Sequence, residues 1–261
     1  MRLFLLCMVC TLQVVKMISL ENVDTEWKAY FLGLMYSDGC VSSRNKVSIL
    51  LKEEDGYLLE NIAKWLDKRT RLLERLGRKY LVLSFRDRIL HKQLIHNGCL
   101  PRKSRENKDD LVFPVINEEN IGHFIRGFFD GDGSVYVPSK RANLLYVELV
   151  STSYSFIQDL KDKLLEFGVE SHLYRKDDPR ENRSFIYRLF VTKQDMVKSF
   201  HSLIYKNSSI HLERKRLRFS FYEKPIYQCP HCFSASKKNG KRGNVQRYLC
   251  MSCNRGWSTS C

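Results

Sequence analysis

The chain has 261 residues, 43% of them hydrophobic and 12% aromatic, which supports a substantial core and excludes a globally disordered protein. Lysine and arginine outnumber acids 44 to 29, for a formal charge of +15. That excess suits a polyanion, with nucleic acid ahead of an anionic membrane or a merely basic surface. Nine cysteines, an odd number with two close pairs near the C-terminus, argue against a secreted disulfide scaffold.

The opening MRLFLLCMVCTLQVVKMISL imitates a signal peptide, with Arg2 before an apolar run from Leu3 to Leu12. The run is short, Gln13 and Lys16 interrupt the residues beyond it, and no small-residue cleavage site appears. It is also too short to span a bilayer. Residues 1–24 therefore read as an apolar extension, either a start displaced to Met17 or a helix packed on the domain. An intracellular location, in the cytoplasm or an organelle, is expected, with no membrane partner.

From Thr25 the pattern is regular. Residues 26–38 predict a helix, 40–51 and 69–86 predict strands, and GYLLENIAKWLDK between them has helical spacing of Leu58, Ile62, Trp65 and Leu66. Residues 88–96 predict another helix, ended by Asn97-Gly98. The charged stretch PRKSRENKDDLVFP reads as a linker. The order then repeats: a helix over 119–132, strands at 134–137 and 144–151, a helix ending at Gly168, strands at 169–175 and 183–192, and a helix over 195–205. An αββαββα unit thus occurs twice, over about 26–100 and 119–206, and predicts an α+β fold whose first helices pack together at a seam.

Those two helices carry the chemistry. YFLGLMYSDG and FIRGFFDGDG each place small residues four apart, Gly33 with Ser37 and Gly127 with Gly131, so that two backbones can approach closely. Each helix ends at Asp-Gly, with Gly39 and Gly133 suited to left-handed backbone. Asp38 and Asp132 then face the negative ends of their helix dipoles and, across a seam, each other. One Asp-Gly is ordinary turn chemistry. Two at matching places incur the same electrostatic cost twice, and a divalent cation such as magnesium, which favours oxygen donors, removes it.

The tail contains CPHCFSASKKNGKRGNVQRYLCMSC, a C-x2-C-x17-C-x2-C array formed by Cys229, Cys232, Cys250 and Cys253. This spacing predicts a tetrahedral structural Zn2+ site. Seven basic residues and no acid lie between Lys224 and Cys261, so residues 224–261 read as a DNA-binding zinc ribbon in which Lys237, Lys238, Lys241, Arg242 and Arg247 contact DNA. Stabilising the C-terminus alone is the alternative. The array is similar to the zinc ribbons of insertion-sequence transposases.

Over residues 25–220 the two motifs resemble those of the LAGLIDADG homing endonucleases, in their single-chain, two-motif form. The resemblance implies a duplicated αββαββα fold with two saddle-like antiparallel sheets, divided as 25–118 (with the linker over 101–118) and 119–222. It implies a monomer that hydrolyses double-stranded DNA at a specific site with Mg2+ held by Asp38 and Asp132, with Gly39 and Gly133 adjoining. Tyr36 departs from the usual acid at the sixth motif position, where the second motif has Asp130; that position is mostly structural. Loops GCLPRKS and IHLERKR place Lys103 and Lys215 as basic residues reaching the active site. Strand residues Ser42, Arg44, Lys46, Tyr136, Arg141, Arg175 and Arg188 are the candidate groove readers. The alternative on the same fold is a binding protein, an intron maturase or transcription regulator; the two intact aspartates favour the nuclease. No splicing blocks flank the duplicated unit.

Overall fold

The computed structural model describes residues 18–101, 111–138, 144–176, 185–219, 227–243 and 245–260. Chain contacts separate two compact units, 1–215 and 216–261. Most of residues 1–24, along with Lys103 and Arg141, lies outside the described residues.

Helix α1 (Glu26–Ser37) starts where the Thr25 hydroxyl accepts from the Lys28 amide. From Ala29 to Tyr36 every side is buried, so α1 is a central helix rather than an amphipathic one. Strands β1 (Gly39–Ser42) and β2 (Lys46–Lys52) come next, a hairpin turning at Arg44 and Asn45, both with positive φ. That turn divides the single strand expected over 40–51. A 3-10 turn (Glu53–Asp55) leads into α2 (Gly56–Trp65), then β3 (Thr70–Arg75) and β4 (Arg78–Arg86) join through Leu76-Gly77, again both at positive φ. Helix α3 (Arg88–His96) is capped by Asp87, which accepts from the Ile89 and Leu90 amides, and ends at Gly98 in the left-handed conformation.

The second half repeats this order as α4 (Glu118–Asp132), β5 (Gly133–Tyr136), β6 (Tyr146–Ser151), α5 (Tyr154–Glu166), β7 (His172–Lys176), β8 (Ile186–Val191) and α6 (Gln194–Tyr205). Each half forms an antiparallel four-stranded sheet with the same strand order, β1-β2-β4-β3 and β5-β6-β8-β7. Alternation fixes the faces: Val47, Ile49 and Leu51 of β2 are buried while Lys46, Leu50 and Lys52 are exposed. Among the described helices none is long and apolar enough to cross a membrane.

Each half also sends a strap onto the other. The Leu111 carbonyl accepts from the Ser153 and Ser155 hydroxyls, and the Phe113 amide donates to Asp159 of α5. Conversely Arg214 forks onto Asp55 at 2.7–3.1 Å, and the Glu213 amide donates to the Tyr57 hydroxyl. Between them, Arg126 of α4 is fully buried, with its guanidinium on Glu26 of α1 (2.6 Å) and on the Ile204 and Ile210 carbonyls. Glu26 in turn accepts from the Ser209 and Ile210 amides. The segment from Leu20 to Val23 is docked on the core: both side chains are buried, and Gln93 of α3 and its cap Asn97 bond the Leu20 backbone.

Beyond the core, α7 (Glu213–Phe219) is an element that sequence periodicity does not predict. The tail forms β9 (Tyr227–Gln228), β10 (Ala235–Arg242), β11 (Val245–Cys250) and β12 (Gly256–Ser260), an antiparallel sheet in the order β12-β11-β10-β9.

Candidate active site at the helix seam

Helices α1 and α4 meet through their small residues. A Cβ on Gly33 would stand 2.0 Å from the Phe124 carbonyl oxygen, and one on Gly127 would stand 2.1 Å from that of Tyr30. At the end of the seam, a Cβ on Gly131 would meet the Ser37 hydroxyl at 2.0 Å and Asp38 Oδ2 at 2.8 Å. Asp38 is thus held against Gly131, the residue that precedes Asp132. A cavity of about 200 Å3 opens beside Asp132, walled by Tyr36, Ser37, Phe128, Val150 and Ser151 among others.

The terminal glycines serve another purpose than the expected one. Neither Gly39 nor Gly133 has positive φ, and Gly133 is extended (φ −99°, ψ 161°). Space is the constraint: a Cβ at Gly39 would lie 2.5 Å from Met35 Cα, and one at Gly133 2.2 Å from Phe129 Cδ2.

The sixth motif position ties each helix to the loop that closes its half. Tyr36 donates its hydroxyl to the Asn97 and Val112 carbonyls. Asp130 does the converse, accepting from the Leu212 amide and the Tyr30 hydroxyl, both at 2.8 Å. A phenol replaces a carboxylate here because the loop offers carbonyls in one half and an amide in the other. Burial pushes the Asp130 carboxyl up, and the bond from the Leu212 amide, the charge of Lys215 and the bond from the Tyr30 hydroxyl oppose that rise.

Lys215 lies at the end of the seam, with its ammonium turned onto the backbone of α4. The residue is 5% exposed and donates to the carbonyls of Phe129 (2.6 Å), Asp130 (2.7 Å), Gly131 (3.2 Å) and Gly133 (2.6 Å). It therefore neutralises the negative end of α4 and fixes the turn that carries Asp132. Burial pushes the ammonium down to about 8, against the pull of Asp130, Asp38 and Asp132, so all three carboxylates lie within its electrostatic reach. The Gly133 carbonyl, expected beside a metal, is already taken by this ammonium. The aspartates remain an all-oxygen donor pair, which fits a hard divalent cation.

The expected groove readers separate by strand parity. Ser42 pairs with Lys46 and Tyr136 with Tyr146 on the sheet faces turned away from the helices, and Arg44 sits in the turn. Arg188 shares that face but is bound to Glu148. Arg175 pairs with Tyr187 on the opposite face and lies over the Phe185 ring at 4.3 Å. Sequence reasoning misses Glu26 and Arg126 entirely; the one signal is an arginine inside an apolar helix.

In the second unit, the sulfurs of Cys229, Cys232, Cys250 and Cys253 all lie within 4.8 Å of one another, with 3.7 Å between Cys229 and Cys253 and 3.4 Å between Cys232 and Cys250. A tetrahedral ion with bonds of about 2.3 Å to sulfur needs edges of about 3.8 Å, close to these. Amides of His231, Ser252 and Cys253 point at the Cys229 and Cys250 sulfurs, as suits thiolates. Lys237, Lys238, Lys241, Arg242 and Arg247 are exposed on β10 and β11.

A duplicated αββαββα core whose first helices pack through glycines and end in paired aspartates is the LAGLIDADG endonuclease fold. Residues 119–205 match the family model of the LAGLIDADG-like domain. Among solved structures the chain is similar to the homing endonuclease I-WcaI bound to its DNA recognition sequence: TM-score 0.51, 15% identity, covering 76% of this chain and 87% of that one. The LAGLIDADG meganuclease I-AabMI, bound to uncleaved DNA, gives TM-score 0.48 and 17% identity over 76% of this chain and 88% of its own. Among curated proteins, the probable translation initiation factor IF-2 of Methanocaldococcus jannaschii is 28% identical over 194 residues, or 71% of this chain. The ATP-dependent DNA helicase Hel308 of the same organism is 27% identical over 143 residues, or 51% of this chain. The matched stretches span only 16% and 11% of those two proteins.

Proposed function

We propose that the chain is a site-specific double-strand DNA endonuclease dependent on a divalent metal. The convergence of Asp38 and Asp132 at the end of the glycine seam carries this reading, because structural turns would not bring two carboxylates together at two helix C-termini. Asp38 and Asp132 would hold Mg2+, which supplies an activated water and neutralises charge on the departing oxygen. Lys215 holds Asp132 in place, and the two open sheet faces meet the duplex. One chain supplies both aspartates, so a monomer suffices. The four tail cysteines would hold a structural Zn2+, and the exposed lysines and arginines of that unit add phosphate contacts. An initiation factor and a helicase, named for unrelated tasks, each align over a small share of their length, which supports a module independent of either task.

The test is Asp132→Asn. Cleavage of a selected duplex in Mg2+ should be abolished while binding in Ca2+ stays largely intact. Activity within threefold of the parent would remove the carboxylate from the mechanism and leave a DNA-binding protein on the same fold.

A further inference from the structure

The two open sheet faces carry different chemistry, although the halves share a fold. Strand register arranges the first in rows. Lys46 stands beside Arg86, Lys52 beside Tyr80, Arg71 beside Val82, and Arg75 beside Arg78. Six cations therefore occupy this face, around a central apolar strip of Leu50, Leu73, Tyr80 and Val82, and the strands add no carboxylate to it, since Glu74 pairs with Lys79 on the other side. Lys52 has an exposed partner in Glu54, at 3.5 Å, outside the strands.

The equivalent rows of the second sheet are aromatic and aliphatic. Tyr136 stands beside Tyr146 with rings 6.1 Å apart, and Tyr174 and Phe190 lie 5.6 Å apart. Val150 flanks Arg188 on one side and Tyr174 flanks it on the other. Arg188 is neutralised by Glu148 and lies over the Phe190 ring at 4.9 Å, so the central cation of this face is already engaged. Lys176 and His172 stand on the outer strand β7.

These surfaces fit different base edges. Arginine and lysine address guanine O6 and N7 and the phosphates, whereas apolar side chains in a major groove find one apolar group there, the thymine C5-methyl. We propose that the second sheet recognises a thymine-bearing half-site through its Tyr174–Phe190 and Tyr136–Tyr146 pairs, while the first sheet reads a guanine-bearing half-site through its six cations. This rests on the DNA reading above and assigns an opposite chemistry to each half of the target.

Selection from a pool of randomised duplexes, in Ca2+ with the full chain, supplies the probe. The enriched duplexes should carry guanine in one half and thymine in the other. Replacing thymine by deoxyuridine, which removes only the methyl, should weaken binding about threefold to fourfold per contacted base in the thymine half and leave the other half unchanged. Tyr174→Ser, at an exposed position, should abolish most of that difference. Arg71→Ala should weaken both duplexes alike. Equal deoxyuridine penalties in the two halves, no penalty in either, or a penalty that survives Tyr174→Ser together with Tyr136→Ser would overturn the assignment. Failure to enrich any duplex would instead refute the DNA reading itself, and this inference with it.

Discussion

Gly127→Ala tests whether the seam positions the site. The added Cβ would lie 2.1 Å from the Tyr30 carbonyl oxygen and 2.9 Å from the Leu34 amide nitrogen, both backbone atoms of α1 that no rotamer change can move. Reaching an ordinary contact of about 3.5 Å requires the helices to part by about 1.4 Å locally. A gap of even about 0.5–1 Å forfeits a quarter to a half of each dispersion contact it opens, and α1 is buried on all sides. The loss should reach about 3 kcal/mol, the upper part of the range for overpacked cores, and exceed the ~1 kcal/mol that alanine contributes to a helix over glycine. A shift of about 1 Å in aspartate position also predicts a cleavage loss on the order of a hundredfold. Gly56→Ala is the control: in α2 its Cβ would meet only the Leu81 side chain, at 3.4 Å. Urea unfolding and cleavage rates of the two variants give the comparison. Unfolding midpoints and rates equal to the parent's for Gly127→Ala would refute the close-packed seam.

The same geometry sets three further outcomes. Protein purified under reducing conditions should carry one zinc per chain, and replacing Cys250 by Ser should remove it by metal analysis; zinc-free parent protein would contradict the cluster. Lys215→Met should lower unfolding stability by about 2–4 kcal/mol, because four carbonyls lose a charged donor, whereas a lysine serving only catalysis would leave the urea midpoint unchanged. Glu26→Gln should cost about 3–5 kcal/mol at neutral pH by leaving Arg126 buried without its partner. Burial pushes the Glu26 carboxyl up, but Ser209, Arg126 and Ile210 outweigh it and hold the group below its ordinary 4.5. Its contribution is therefore full above about pH 4.5 and lost as pH falls through the lower folded value, so acidification should erode the parent's stability more than the variant's.

The duplicated order of elements, the motif helices and the cysteine array were legible in the amino-acid sequence because each is written locally, in periodicity and spacing. The helix stops at Gly98 and Gly168 were legible for the same reason, as left-handed residues after a helix end. Other assignments depended on what the far half of the chain brings. Gly39 and Gly133 look like left-handed caps, yet their reason is the proximity of Met35 and Phe129. Lys215 looks like one more cation in LERKR, and only the packing of its loop on α4 turns it into a cap. Arg126 and Glu26 stand 100 residues apart, and no local pattern couples them. The parity that turns Arg188 toward the open face and Arg175 away from it arises from strand register, which is set by pairing partners rather than by the strand's own residues. Composition and spacing thus determined which groups exist and on which elements. The tertiary structure decided which carboxylates meet, which cations are already engaged, and which faces stay open, because those depend on distances across the fold.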